Sequence, residues 1–201
     1  MILVLDCDGV VQTGPCGGGR WDKNLKRDLG LDTELLQEKF FRRFWRDLLS
    51  GRGELENALE KVWPELSCAA SPQEFIRYWF EQDCTLDRHV LERTDALRGA
   101  GSPVFLATNQ EHRRAKYLWE ERSLCNHFDG LIYSAELGNQ KPEFSFFELA
   151  TLRLPAQDPG DVLFLDDSIA HVEAARAAGW RAHLYRDVGD LDRSIAEFSQ
   201  R

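Results

Sequence analysis

"MILVLDCDGVV", Met1–Val11, runs five apolar residues straight into two carboxylates, Asp6 and Asp8, spaced two apart. Side chains at i and i+2 of an extended chain point the same way, so both acids crowd one spot. At ~4 Å and an effective dielectric of ~20, two like charges repel by ~4 kcal/mol. A run of Ile, Leu and Val suits a strand buried on both faces, and Gly9 lets the backbone turn sharply as that strand ends. The acids are therefore expected at the carboxyl end of a strand, the edge that faces the ligand crevice in open parallel sheets. A divalent cation or a shared proton would relieve the repulsion there.

Outward from this strand the chain has two textures. From Gly14 to about Arg88 the patterning is helical: Leu35, Leu36, Phe40, Phe41, Phe44, Trp45, Leu48 and Leu49 recur at steps of three and four and form one apolar stripe. Gly51 and Gly53 end it. A second helix carries Leu55, Leu59, Val62 and Trp63 and stops at Pro64, and a third starts near Ser71-Pro72 with Phe75, Ile76, Trp79 and Phe80 on one face. Beyond Arg88, short apolar runs alternate with helices, and 103–108, 130–134, 161–166 and 180–185 read as strands. The expected fold is α/β: a Rossmann-like parallel sheet with helices on both faces, built from 1–13 and 89–201, with a small all-helical domain, 14–88, inserted after the first strand. "GPCGGGR" (Gly14–Arg20) lacks the spacing of a phosphate-binding glycine loop and reads as a hinge between the two parts.

Composition narrows the function classes. With 25 Lys and Arg against 34 Asp and Glu the formal charge is −9, which disfavours nonspecific binding to nucleic acid or an anionic membrane. An anionic small substrate would need local positive charge. The five cysteines have no C-x-x-C spacing, so neither a zinc knuckle nor a disulfide framework is expected, and a reducing cytoplasm is the simplest location. The N-terminal apolar run is too short for a signal peptide.

Each predicted strand delivers a polar residue to the same edge. "PVFLATNQ" ends in Thr108 and Asn109, "NQKPEF" places Lys141 before Pro142 in a position that suits the first turn of a helix, and "VLFLDDS" delivers Asp166 and Asp167. Singly, such residues are turn, surface or capping residues; the series Asp-x-Asp, Thr, Lys, Asp-Asp at successive strand ends is a phosphoryl-transfer constellation.

These residues resemble the haloacid dehalogenase-like hydrolase superfamily, in the branch with a helical cap inserted after the first strand. Asp6-Cys7-Asp8-Gly9-Val10-Val11 is similar to its D-x-D-G-[TV] motif, Thr108 to its second motif, Lys141-Pro142 to its third and Asp166-Asp167-Ser168 to its fourth. His171 departs from the pattern, standing where many relatives carry Asn or Asp. The resemblance implies a Mg²⁺-dependent phosphatase acting on a small phosphorylated metabolite through an aspartyl-phosphate. Asp6 would be the nucleophile, and Asp8 would protonate the leaving oxygen and then deprotonate water. Lys141 would neutralise Asp6 and the transferring group, while the Thr108 hydroxyl and the Asn109 amide bind phosphate oxygens. The metal would be held by Asp6, Asp167 and the main-chain carbonyl of Asp8, with Asp166 bound directly or through water.

Other readings share parts of this set. A dehalogenase uses the same nucleophile and has no need of the second acid, so Asp8 argues against it. A sugar phosphomutase keeps all four motifs and would need cap groups to hold a bisphosphate; Arg42, Arg43 and Arg46 are the candidates, though such a run is more often a solvated helix face. A phosphate-accepting signalling domain of the receiver type has its acidic pair before the accepting Asp and carries no large insertion after the first strand. Gln12, Thr13 and Arg20 lie near enough in sequence to touch substrate. The aromatics Phe40, Phe44, Trp45, Trp63, Trp79 and Phe80 are expected to pack the helical domain rather than line a pocket.

Overall fold

The computed structural model describes residues 1–16 and 18–200, and its strand β1 (Ile2–Leu5) lies at the centre of a parallel sheet ordered β3-β2-β1-β4-β5. The partners are β2 (Val104–Thr108), β3 (Gly130–Tyr133), β4 (Val162–Asp166) and β5 (Arg181–Leu184). Alternation along β1 divides the core. Leu3 and Leu5 face Val90 and Leu91 of a helix following the insertion and Leu191 of the last helix; Ile2 and Val4 face Phe146, Phe147, Val172 and Ala175 on the opposite side. Burial on both faces is why the first strand is uniformly apolar.

Between β1 and β2 come α1 (Leu25–Leu29), α2 (Thr33–Leu36), α3 (Arg42–Leu49), α4 (Leu55–Val62), α5 (Pro72–Gln82) and α6 (Arg88–Gly99). α2 and α3 form one rod, joined through a π-helical turn at Gln37–Phe41. The extra residue in that turn leaves the stripe intact, with Leu36, Phe40, Leu48 and Leu49 buried. α5 begins in a capping box: Ser71 Oγ accepts from the Glu74 N–H at 3.2 Å while Glu74 Oε2 accepts from the Ser71 N–H at 2.8 Å, an arrangement worth about 1 kcal/mol. A third apolar cluster made of Leu25, Leu36, Phe40, Leu59, Phe75, Ile76, Trp79, Phe80 and their neighbours holds the helical unit together. Phe40, Trp79 and Phe80 are buried in it and Phe44, Trp45 and Trp63 pack against it, as expected of core aromatics.

The chain leaves β1 and returns to the sheet through two segments bonded to each other. The Thr13 N–H donates to the Thr85 carbonyl, the Thr85 N–H to Gly14 and the Asp87 N–H to Val11. On its far side the unit rests on the sheet's loops: Gln140 Nε2 donates to the Arg46 carbonyl (2.8 Å) and to Ser50 Oγ (2.5 Å), and Arg113 pairs with Glu56. Gly51, at φ +70°, comes so close that a Cβ there would lie 2.3 Å from the Ala135 carbonyl oxygen.

The remaining helices are α7 (His112–Lys116), α8 (Ser134–Leu137), α9 (Phe144–Thr151), α10 (Ile169–Ala177) and α11 (Val188–Ser199). Pro142 departs from expectation. α9 starts two residues later, at Phe144, and the Lys141-Pro142 bond is cis. The cause is on the neighbouring loop, where the Asn109 side chain holds the backbone of Lys141 outside any helix. Among the described residues, no helix is long and apolar enough to cross a membrane.

Candidate active site

Three strands that are neighbours in the sheet bring the acids, the threonine and the lysine partner to one edge. Asp6 follows β1, Thr108 ends β2 on one side and Asp166 ends β4 on the other. Lys141 arrives from the loop after α8. Its ammonium lies 2.9 Å from Asp6 Oδ1 and 2.6 Å from Asp166 Oδ2, with the lysine side chain and Asp166 fully buried. The Asp6 carboxylate also accepts from the Cys7 N–H at 2.7 Å.

Burial sets the protonation of this triad. It pushes Asp6 up to about 7, against the opposing pull of Lys141 and with Asp166 and Asp8 adding to the rise. Burial works against the charge of Lys141 as well, and the two carboxylates more than reverse it, so the ammonium is held above its ordinary range. Asp166 is desolvated too, yet hydrogen bonds from His171 and Lys141 bring it down to about 2.

Asp166 is saturated. Besides Lys141 it accepts from the Ser168 N–H at 2.8 Å and faces His171 Nδ1 at 2.9 and 3.0 Å. Asp6, Asp166 and His171 bring donor atoms within 4.8 Å of one another. A hard cation prefers oxygen ligands, and the oxygens of Asp166 are already engaged. Asp167 leans over Gly9, where a Cβ would meet its Oδ2 at 2.1 Å. Burial and the neighbouring Asp166 raise Asp167, the condition a cation would relieve. Asp6 and Asp167 offer oxygen donors of the kind Mg²⁺ takes, while the Asp166 oxygens are engaged by Lys141, Ser168 and His171.

Asp8 stands at the exposed mouth, with both oxygens gripped by amides: Gln12 Nε2 donates to Oδ1 at 2.8 Å and Gln110 Nε2 to Oδ2 at 2.5 Å. Thr108 is 1% exposed and its hydroxyl has no partner, the state expected of a group awaiting an anion. The Asn109 side chain is engaged with Lys141, so only its backbone N–H is free to serve phosphate. Thr13 bonds to Thr85, and the exposed Arg20 forms a bidentate pair with the buried Asp22. Arg42, Arg43 and Arg46 are exposed. Gln110 and His171 were given no role by the sequence; the only signal for Gln110 was its place directly after Thr108-Asn109.

A family model described as haloacid dehalogenase-like hydrolase matches residues 2–179. The chain belongs to that family. It is 30% identical over 138 residues to bifunctional epoxide hydrolase 2 of Rattus norvegicus, a match that covers 64% of this chain and 25% of that protein. It is 31% identical over 108 residues to phosphoglycolate phosphatase of Escherichia coli, covering 52% of this chain and 42% of the other. The chain thus spans less than half the length of either. A HAD family enzyme of Bacteroides thetaiotaomicron in a magnesium complex shares the fold at a TM-score of 0.79 and 20% identity, over 96% of this chain and 98% of that one. The same enzyme has been solved with magnesium and inorganic phosphate, at a TM-score of 0.77 and 19% identity over 92% and 93%.

Proposed function

We propose that this hydrolase is a Mg²⁺-dependent phosphatase that cleaves small phosphomonoesters through an aspartyl-phosphate on Asp6. The observation that carries the reading is the Lys141 ammonium, buried between Asp6 and Asp166, with the unpartnered Thr108 hydroxyl at the end of the strand next to the one Asp6 follows. A phosphate dianion repels nucleophiles, so the site must supply alignment and positive charge.

Asp6 attacks phosphorus and the ester oxygen departs, taking its proton from Asp8. Water then attacks the phosphorus of the acyl phosphate, returns a proton to Asp8 and releases inorganic phosphate and Asp6. Gln12 and Gln110 orient Asp8 through both steps, and Thr108, Lys141 and the Asn109 N–H hold the phosphoryl oxygens. Asp6, Asp167 and the Asp8 carbonyl would hold Mg²⁺, with Asp166 behind them; when bound, the ion supplies charge neutralisation for the transferring group. The helical unit, 14–88, acts as a cap whose resting place on the loops, through Gln140 and Arg113, shields the site from water.

The phosphatase is favoured over the mutase because Arg42, Arg43 and Arg46 point to solvent. The relationship to a phosphoglycolate phosphatase supports the same choice. Turnover of p-nitrophenyl phosphate that requires Mg²⁺ and is lost in Asp6→Asn is the expected result. Activity undiminished by that substitution would refute the assignment.

A further inference from the structure

A cavity of about 370 Å³ opens directly beside Asp8, lined by Asp8, Gly9, Gln12, Thr13, Gly14 and Asp83. It lies on the Asp8 side of the site, where the proposed proton donor must meet the departing alcohol. Two of its walls are carboxylates. Asp83 follows α5 in the helical unit, so the cavity is shared between the unit and the sheet loops.

The orientation of Asp83 is fixed from behind. Arg114, with a side chain only 3% exposed, donates through Nη2 to the Asp83 carbonyl at 2.5 Å and to its Oδ2 at 3.3 Å. The guanidinium is itself packed on the rings of Trp79 and Phe80, at 5.7 and 5.2 Å from their centroids. This leaves Oδ1 on the cavity side, where a Cβ at Gly14 would lie 3.8 Å from it. Burial raises Asp83, Arg114 opposes the rise and Asp8 adds to it. Gln12 presents a second unmet acceptor: it is 2% exposed, its Nε2 is on Asp8 and its Oε1 has no partner. No lysine or arginine lines the cavity among the described residues.

We infer that Asp83 sets specificity: the substrate's alcohol portion carries hydroxyl or ammonium donors and no anionic group, as in a polyol or amino-alcohol phosphate. This rests on the phosphatase reading above. A donor on the leaving group meets Asp83 Oδ1, whereas a carboxylate or a second phosphate in the same space meets the acceptor oxygens of Asp83 and Gln12 with no lysine or arginine among the lining residues, the Arg114 guanidinium lying behind Asp83 on Oδ2. The chain thereby parts from its phosphoglycolate-hydrolysing relative, whose named substrate has an anionic leaving group.

The test compares kcat/KM for glycerol 3-phosphate, phosphoethanolamine and phosphoglycolate in the wild type and in Asp83→Asn. The two donor-bearing esters are expected to exceed phosphoglycolate at least tenfold, and Asp83→Asn to shrink that ratio about tenfold, mainly through KM. Equal or better use of phosphoglycolate by the wild type overturns the inference, as does a ratio that Asp83→Asn leaves unchanged. Calorimetric binding of the same esters to Asp6→Asn reads the pocket without turnover. Phosphoglycolate bound as tightly as glycerol 3-phosphate there also overturns it, while discrimination in binding without hydrolysis of p-nitrophenyl phosphate by the wild type would remove the phosphatase reading and leave the pocket's selectivity standing.

Discussion

The Asn109 carboxamide grips the backbone of Lys141 from both sides, accepting from its N–H at 2.9 Å and donating to its carbonyl at 2.9 Å. The backbone of Lys141 is thus fixed by the residue that directly follows β2 rather than by its own loop alone. Asn109→Ala deletes both bonds, each worth about 1 kcal/mol net. The expected result is a loss of about 2 kcal/mol in urea unfolding and a fall in kcat that exceeds any rise in KM, because the variant displaces Lys141 without removing it.

Removing the lysine charge should be harsher. Lys141→Met leaves Asp6 and Asp166 buried side by side without their cation, and breaking a buried ion pair from one side costs roughly 3–5 kcal/mol. Chemical denaturation is expected to show a loss of that size together with abolished turnover. A variant as stable as the wild type would mean that the pair is not buried as described.

Gly9 is expected to report on the metal. It sits at φ +82° with Asp167 Oδ2 only 2.1 Å from where a Cβ would be. Gly9→Ala must push the Asp167 carboxylate aside and strain the turn by about 1–2 kcal/mol. Titration of activity with Mg²⁺ should shift to at least tenfold higher concentration while the circular dichroism spectrum is retained.

Gln140 links the sheet's loop to the helical unit through Arg46 and Ser50. Gln140→Ala is expected to speed amide hydrogen exchange selectively around 46–53, with the strands unaffected. Uniform exchange across both parts would argue against this contact as a latch.

Asp190 offers a test of electrostatics away from the site. Hydrogen bonds from Arg186 and Arg193 bring its carboxyl from 3.8 down to about 2. A depressed folded-state value means that the stabilisation is complete above about 3.8 and is lost as pH falls through about 2. The melting temperature of Asp190→Asn should lie below that of the wild type by a constant gap from pH 7 to about 4 and converge only below that. Convergence already at pH 6 would contradict the pairing.

The sheet and its edge were legible because β1, β2 and β4 are short apolar runs that lead straight into Asp6, Thr108 and Asp166, a purely local signal. The helical unit was legible from the stripe at 35–49 and from the Ser71-Pro72 start, both again local. What the sequence could not display depends on which strands become neighbours. Gln110 reaches Asp8 across 102 positions only because β2 lies beside β1. Arg114 and Asp83 meet across 31 positions because α5 ends over α7. The helix start expected at Pro142 failed for the same reason, since Asn109, 32 residues before Lys141, holds the backbone of that loop.

The paired segments around Thr13 and Thr85 also bear on how such a molecule diversifies. With departure and return ports stitched together, the scaffold closes on itself whatever lies between them, so the whole insert is a replaceable cartridge. Exchanging it would replace Asp83, one wall of the cavity beside Asp8, while Asp6, Lys141 and Asp166 lie outside the exchanged segment.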